Sequence, residues 1–189
     1  MKPKIIVIAG PTASGKTSLA IELAKKIDGE IISSDSMQIY KEMNIGTAKV
    51  TNEEMQGIKH YLIDFVSPDE RYSVSDFKKD AENAIEEILA KGKIPIIAGG
   101  TGLYIDSLIY SINYPDMKFD EEYRKELMKI ADTPDGLFEL YEEAKKIDPE
   151  AVEKISCNDK KRIIRILEIY KQTGKNKTEQ ERQARLEEV

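Results

Sequence analysis

One segment has the residue types and spacing of a phosphate-binding loop, Gly-x4-Gly-Lys-Thr. It comprises Gly10, Pro11, Thr12, Ala13, Ser14, Gly15, Lys16 and Thr17. In such a loop the backbone N–H groups and the positive end of the following helix face one concavity, Lys16 adds a cation, and the Thr17 hydroxyl can bind Mg²⁺. The alternative is a glycine-rich strand-to-helix turn with an incidental lysine. The motif favours phosphate binding but does not choose the reaction.

Two later segments could add chemistry beside a bound phosphate. Asp35 lies in the run Ser-Ser-Asp-Ser-Met-Gln, where its carboxylate could act as a general base or cap the turn that follows. Thr101 lies in the run Gly-Gly-Thr-Gly, which either lets the backbone approach a ligand closely or forms a flexible strand-to-helix turn. Because the carboxyl ends of parallel strands share one edge of a sheet, we expect all three loops to meet there.

Alternating strands and helices must position these loops, and this alternation predicts an α/β fold with a parallel sheet. The continuous apolar run at residues 4–9 is typical of a strand buried on both faces. Apolar spacing predicts a helix over residues 16–27 that Gly29 stops, and a second helix that Ser75 caps and that ends near Ala90. Further strands are expected over residues 30–33, 60–66 and 94–98.

After about Tyr114 the expected elements are helices only. Helical spacing and start signals occur over residues 120–131, 135–146, 148–155 and 158–173, the last closed by Gly174. Residues 176–189 predict an exposed helix or an unpacked stub. We therefore divide the chain into an α/β core (1–114), a helical region (115–175) and a charged C-terminal segment (176–189).

Composition narrows the functional class. The 189 residues are 40% hydrophobic and 34% charged, as in soluble globular proteins, and no apolar run approaches the ~20 residues that span a bilayer. The lone Cys157 predicts a reducing, cytoplasmic compartment, and a strand near the N-terminus predicts the absence of a signal peptide. We also expect a monomer without membrane contact. The net charge is −6, yet residues 154–177 hold eight basic and two acidic residues, a local surplus of six positive charges.

Several longer strings resemble bacterial tRNA dimethylallyltransferases, also called tRNA isopentenyltransferases. In order they are GPTASGKT, ISSDSMQIYKEMNIGTAK, HYLIDF, IPIIAGGTGLYIDSL and DPEAVEKISCNDKKRIIRILEIYKQTGK. The resemblance covers about residues 5–175. It implies a three-layer parallel-sheet fold like that of P-loop nucleoside-triphosphate hydrolases, followed by a mainly helical region.

The resemblance implies transfer of a dimethylallyl group from dimethylallyl diphosphate to the N6 amine of an adenosine next to the tRNA anticodon, with release of diphosphate. Implied catalytic residues are Lys16, Asp35 and Thr101; residues 10–17 bind the diphosphate or a nucleotide, and Thr17 binds the Mg²⁺ cofactor. The implied tRNA contacts, within the anticodon stem-loop, are Asp35, Ser36, Met37, Gln38, Thr101, Arg124, Lys161, Arg162, Ile163, Ile164 and Arg165. A solvated surface charge is the alternative interpretation of Arg124 and of the basic stretch.

Members of the resembled family normally continue beyond the segment that matches Thr-Gly-Lys at residues 173–175. We therefore expect this chain alone to bind diphosphate with weak or absent transfer. One rival is a P-loop kinase, for which Arg162 and Arg165 could serve as a phosphate-clamping lid, but it does not explain the loops at Asp35 and Thr101 together. A second rival is an RNA-binding module that has lost catalysis, and the intact phosphate-binding loop argues against it.

Overall fold

A computed structural model describes residues 4–110 and 120–186 of the chain. Its elements are β1 (Ile6–Ala9), α1 (Lys16–Ile27), β2 (Gly29–Ser34), α2 (Asn52–Met55), β3 (His60–Tyr61), α3 (Val74–Ala90), β4 (Ile94–Gly99), α4 (Gly102–Ile109), α5 (Glu121–Ala131), α6 (Gly136–Ile147), α7 (Pro149–Glu153), α8 (Lys160–Thr173) and α9 (Lys177–Leu186). They fall into two compact units, an α/β unit (Met1–Asn113) and a helical unit (Tyr114–Val189). The expected change of character at Tyr114 and the last three residues of the predicted C-terminal segment lie outside the described residues.

In the α/β unit the described strands form a parallel sheet in the order β1-β4-β2-β3. β4 pairs with β1 from Ile96 to Gly99 and with β2 along its whole length. The central position of β4 places its carboxyl end between the ends of β1 and β2. The loops that follow these three strands therefore start side by side.

Helices cover both faces of this sheet, because neighbouring residues of a strand point to opposite faces. Ile32 and Ile97 pack against α3 and α4, whereas Ile31 and Ile96 pack against α1. All four side chains are at most 2% exposed. The predicted three-layer α/β arrangement with a parallel sheet is therefore confirmed.

The third strand is much shorter than predicted. Only His60 and Tyr61 pair with β2, and a single further bridge joins Tyr40 to Val66. Between these points Leu62 and Asp64 have φ angles of 56° and 58°, in the left-handed region that a continuous strand does not enter. The apolar run 60–66 was therefore wrongly assigned to one strand.

One predicted helix start and one predicted stop residue are also corrected. α3 starts after Ser73, not Ser75: the Ser73 Oγ accepts from the Asp76 N–H at 3.2 Å, and Asp76 Oδ2 accepts from the Ser73 N–H at 2.8 Å. α1 ends at Ile27 as predicted, but its C-cap is Asp28, which adopts φ 52°, while Gly29 is already the first residue of β2. A Cβ atom at Gly29 would lie 2.9 Å from the carbonyl oxygen of Ile94, so glycine serves strand pairing there.

In the helical unit, side chains of α5, α6, α7 and α8 share one apolar core that includes Leu127, Leu140 and Leu167. α9 is attached mainly by polar contacts. The Asp148 carboxylate, 1% exposed, accepts from the Ala151 N–H at the start of α7 and from the Thr178 N–H and hydroxyl, at 2.7 to 3.0 Å. The C-terminal segment is therefore a docked helix over its described part. Within the described ranges, none of the helices has the length and apolar character needed to cross a bilayer.

Candidate functional site

The 10–17 loop connects β1 to α1 and turns through two left-handed residues, Ala13 with φ 62° and Gly15 with φ 82°. Gly15 is the N-cap of α1, and no side chain caps this helix start. The first turn of α1 also contains no acidic residue. Its N–H groups and the positive end of the helix dipole are therefore left to an anionic ligand.

The Lys16 ammonium group lies over this same loop. It donates to the carbonyl oxygen of Pro11 and lies 3.4 Å from the hydroxyl oxygen of Ser14. Lys16 is half-buried, so its charge is held near the loop rather than extended into solvent. A phosphate oxygen entering the concavity would compete with the Pro11 carbonyl for this ammonium group.

Backbone atoms of the three predicted loops meet at the carboxyl edge of the sheet. The Gly10 N–H donates to the Gly99 carbonyl at 3.4 Å, and the Thr101 N–H donates to the Ser34 carbonyl at 3.0 Å. A Cβ atom at Gly99 would lie 2.2 Å from the Ser34 carbonyl oxygen, and one at Gly100 would lie 3.2 Å from the Gly10 carbonyl oxygen. The expected convergence of the loops is therefore confirmed, and it depends on close approach between backbones.

The Thr101 side chain adds a second connection between two of the loops. Its Oγ1 accepts from the Ser36 N–H at 3.0 Å and lies 3.3 Å from the Ser36 Oγ. Thr101 occupies the N-cap position of α4, yet its side chain makes no capping bond there. The hydroxyl thus holds the loop after β2 instead of its own helix.

Asp35 caps the turn that follows β2. Its Oδ1 accepts from the backbone N–H of Met37 at 2.9 Å and, more weakly, of Gln38 at 3.4 Å. The capping interpretation of this carboxylate is therefore present in the structure, while its role as a general base stays a prediction. The two roles are compatible, because a carboxylate has acceptor sites on both oxygens.

Gln38 points back into the α/β unit and borders a small cavity. Its Nε2 donates to the carbonyl oxygens of Thr47 and Ala48 at 3.1 and 3.4 Å. The cavity, of about 30 Å³, is lined by Thr17, Gln38 and His60 among others. Burial lowers the pKa of His60, and its Nδ1 donates to the Ile58 carbonyl at 2.9 Å, so Nε2 is an acceptor. In the described ranges, the buried side-chain atoms without a hydrogen-bond partner are this Nε2 and the Ser34 Oγ.

The structure divides the five implied tRNA contacts of residues 161–165 into two sets. Lys161, Arg162 and Arg165 are exposed on α8. Ile163 and Ile164 are 0% exposed and belong to the core of the helical unit, so their side chains do not face a ligand. Only the three basic side chains of this interval are therefore exposed, and tRNA contact by the interval stays a prediction.

Arg124 is not an isolated solvated charge on α5. It is half-buried, and its Nε lies 3.6 Å from Oε1 of Glu168 on α8. Glu168 also pairs with Arg165, at 3.5 Å between Oε2 and NH1. Sequence reasoning missed Glu168, because only the packing of α5 on α8 brings its two partners together.

A second missed residue, Lys49, has a side chain only 7% exposed. Its Nζ donates to the Tyr40 carbonyl at 2.6 Å and to the Asp64 carboxylate at 2.5 Å. This contact joins the segment after β2 to the segment after β3. No sequence motif marks it, because the partners are 9 and 15 positions away.

The side chains available as metal ligands decide whether Mg²⁺ fits this site. Within residues 4–110 and 120–186, no group of three or more His, Cys, Asp or Glu side chains could hold a metal ion. A site with few protein ligands suits Mg²⁺, which usually keeps several waters and binds substrate phosphates as well. The exposed Thr17 hydroxyl at the start of α1 fits such a site.

Comparison with known proteins gives a consistent result. A family model described as IPP transferase matches residues 38–188. The tRNA dimethylallyltransferase of Thermoanaerobacter sp. (strain X514) is 53% identical over 175 residues, which cover 93% of this chain and 55% of that protein. The tRNA dimethylallyltransferase of Acetivibrio thermocellus is 58% identical over 171 residues. The chain therefore spans about half the length of the curated relatives it matches.

Solved structures agree with the sequence matches. The tRNA isopentenylpyrophosphate transferase of Bacillus halodurans is 47% identical with a TM-score of 0.61, over 92% of this chain and 57% of that one. A eukaryotic dimethylallyltransferase whose structures show it acting on tRNA is 38% identical with a TM-score of 0.75, over 94% of this chain and 44% of that one.

Proposed function

Because this chain belongs to the IPP transferase family, we propose that it serves tRNA modification by transferring a dimethylallyl group from dimethylallyl diphosphate to an adenosine N6 amine next to the anticodon. The junction of three loops at one sheet edge, with Lys16, Asp35 and Thr101 on those loops, carries the proposal. The names of the relatives support this reaction, and we propose the cytoplasm as its location. Since the chain covers about half of those relatives, the complete activity is part of the proposal.

The diphosphate would bind in the concavity of the 10–17 loop. The uncapped N–H groups of α1 and the Lys16 ammonium would stabilise the negative charge that grows on the diphosphate as it leaves. The Thr17 hydroxyl would hold Mg²⁺ together with diphosphate oxygens, and the chemistry supplied there is neutralisation of this same charge. Residues of this loop therefore act on the leaving group, not on a transferred phosphoryl group.

The transfer reaction requires one group that accepts a proton from the adenosine N6. The lone pair of the adenosine N6 forms the new bond to C1 of the dimethylallyl group, while the C1–O bond breaks and its electrons go to the diphosphate. One N6 proton then moves to the Asp35 carboxylate, acting as a general base. The bond from Met37 to Oδ1 orients this carboxylate and leaves Oδ2 for the proton.

The acceptor adenosine would be held by the loop after β2. Ser36, Met37 and Gln38 follow Asp35 directly, and Met37 is 46% exposed, which offers an apolar surface to a base. Thr101 fixes this loop through Ser36 and would contact the reacting groups from the loop after β4. The adenosine must leave its stack to reach such a pocket.

Donor binding can be tested with this chain by titration calorimetry with dimethylallyl diphosphate and Mg²⁺. We expect Lys16→Ala to weaken binding about 100-fold, because it removes a charge-assisted contact to the diphosphate. Lys26→Ala is the matched control, since it removes the same charge from an exposed position at the other end of α1. Equal affinity of the Lys16→Ala chain and the unmodified chain would exclude the proposed donor site.

Transfer can be tested by incubating the chain with labelled dimethylallyl diphosphate and an anticodon stem-loop RNA. Prenylated adenosine supports the proposal, with a low rate expected from this chain alone. Replacement of the donor by ATP and a small acceptor tests the kinase alternative, which predicts phosphate transfer. If the chain binds the donor but transfers phosphate from ATP and forms no prenylated adenosine, the result would favour the kinase.

A further inference from the structure

Glu168 is a buried carboxylate in the middle of α8, paired with two arginines. The residue is 3% exposed. Its Oε1 lies 3.6 Å from the Arg124 Nε, and its Oε2 lies 3.5 Å from the Arg165 NH1. Since burying a charged carboxylate is costly unless partners compensate it, these pairs explain how the helical unit retains Glu168 in its interior.

The two arginines come from different helices, and each contacts a different oxygen of the carboxylate. Arg165 lies one turn before Glu168 on α8, while Arg124 projects from α5. Their side chains are 44% and 34% exposed, so both reach the surface although their common partner does not. A guanidinium has five N–H donors in one plane, more than a single carboxylate oxygen can accept.

A third cation lies at the same junction of α5 and α8. The Lys171 ammonium is 3.5 Å from the centre of the Tyr123 ring and 3.8 Å from Oδ2 of Asp120. This contact fixes a further positive charge between the same two helices. Three cations and the carboxylates of Glu168 and Asp120 are thus gathered there, and Glu126 and Glu143 also act electrostatically on Tyr123.

We propose that Glu168 is a positioning residue that holds Arg124 and Arg165 side by side as a binding site for a phosphate of the RNA backbone. The choice of RNA as the ligand rests on the proposed function. Glu168 acts through the arginines and not on the ligand, because a carboxylate repels phosphate. A planar arginine whose orientation is restrained presents its exposed part in a defined direction, which favours binding of phosphate oxygens.

For the Glu168→Gln variant, positioning and simple electrostatics predict changes of opposite sign in RNA affinity. Removal of a negative charge alone would tighten RNA binding and steepen its salt dependence. Loss of positioning would weaken binding of an anticodon stem-loop RNA by about tenfold in spite of the added net positive charge. Glu139→Gln is the matched control, since it removes an exposed carboxylate from α6 and is expected to leave affinity unchanged or slightly raised.

A double-mutant cycle identifies the residues through which Glu168 acts. Arg124→Ala should weaken RNA binding about tenfold in the unmodified chain but by less than about threefold in the Glu168→Gln chain, because the arginine has already lost its contact with the Glu168 carboxylate. Glu168→Asp gives a second test if Glu168→Gln does not fold. It keeps the charge but withdraws the carboxylate from both arginines, so affinity should again fall. Unchanged or tighter RNA binding by the Glu168 variants would overturn the proposal.

The arginine Nε–Hε signals in ¹⁵N NMR spectra test positioning without RNA. We expect resolved, slowly exchanging signals from Arg124 and Arg165 in the unmodified chain, and averaged signals in Glu168→Gln at an unchanged thermal midpoint. Signals that do not respond would overturn the positioning role. If they respond as expected while the unmodified chain fails to bind RNA, the arginine pair stands as a positioned site and the proposed tRNA function is what fails.

Discussion

The hydroxyl oxygen of Thr101 accepts a 3.0 Å hydrogen bond from the backbone N–H of Ser36, 65 positions earlier in the chain. This side chain joins the loop after β4 to the loop after β2. Asp35 directly precedes Ser36, so the same bond restrains the carboxylate that we propose as the base. The position of one predicted catalytic residue thus depends on another.

Replacement of Thr101 by Val should loosen this connection without changing the volume of the side chain much. The Ser36 N–H would lose its acceptor, so we expect the free energy of unfolding of the α/β unit to fall by about 1 kcal/mol. The Ser36 amide should then exchange about fivefold faster in hydrogen-exchange NMR. Thr101→Ser keeps the oxygen and is the control; slow exchange of Ser36 in the Val variant would contradict the role of the hydroxyl.

Gly99→Ala should be among the most harmful small substitutions in the α/β unit. The added Cβ would lie 2.2 Å from the Ser34 carbonyl oxygen, which belongs to a paired strand and cannot move aside. We expect a loss of about 3 kcal/mol in urea denaturation. Gly46→Ala is the matched control, because a Cβ there meets no atom within 4 Å. Similar stabilities of the two variants would show that the strands separate easily at this edge.

Asp35→Asn separates the two roles of this side chain. Asparagine keeps an oxygen that can accept from the Met37 N–H, but it cannot take the N6 proton. If Asp35 is the base, transfer should fall by about 10²- to 10⁴-fold in single-turnover assays while donor affinity stays the same. If Asp35 only caps the turn, Asp35→Asn should transfer normally and only Asp35→Ala should be impaired.

The pH dependence of stability should reveal the attachment of α9 through Asp148. Burial raises the pKa of this carboxyl, but the hydrogen bonds from Thr178 and Ala151 outweigh burial and hold its pKa below the usual value. A lowered pKa in the folded state means that the stabilisation is present above about pH 4 and disappears as the pH falls through the folded-state pKa.

Asp148→Asn should therefore reduce the free energy of unfolding by about 2 kcal/mol at pH 7 and by much less near pH 2.5. Urea denaturation of both chains at the two pH values measures the difference, in which the other titrating groups largely cancel. A difference that stays constant with pH would show that the charge of Asp148 is not what holds Thr178.

Elements with complete local signals could be predicted from the sequence. The bounds of α1 and the end of α8 at Gly174 are confirmed, because helical spacing and terminal residues lie within the segment itself. The end of β3 could not be predicted in this way. Its chain turns at Leu62 and Asp64, where the Asp64 N–H donates to the Gln38 carbonyl and its carboxylate binds Lys49, and these partners are far away in sequence.

The candidate site also has features that local sequence predicts and features that depend on partners distant in sequence. The meeting of the three loops was expected because the carboxyl ends of parallel strands share one edge, whereas the strand order that places β4 between β1 and β2 was not predicted. The burial of Ile163 and Ile164 follows from helical periodicity, which places them on the buried face of α8. The family resemblance implied all five residues from 161 to 165 as tRNA contacts, whichever face of the helix they occupy. The pairing of Glu168 with Arg124 depends on how α5 lies on α8, which local sequence does not specify.

The junction at the edge of the sheet is built from main-chain atoms of Gly10, Ser34 and Gly99. Side chains that project from the neighbouring positions of the 10–17 loop contribute little to holding it together. Pro11 and Thr12 are exposed, so they can be varied while the junction keeps its shape, whereas Ala13 adopts φ 62° and tolerates fewer residues. A library at Pro11 and Thr12 would therefore vary the surface beside the proposed diphosphate site while its main-chain framework stays in place.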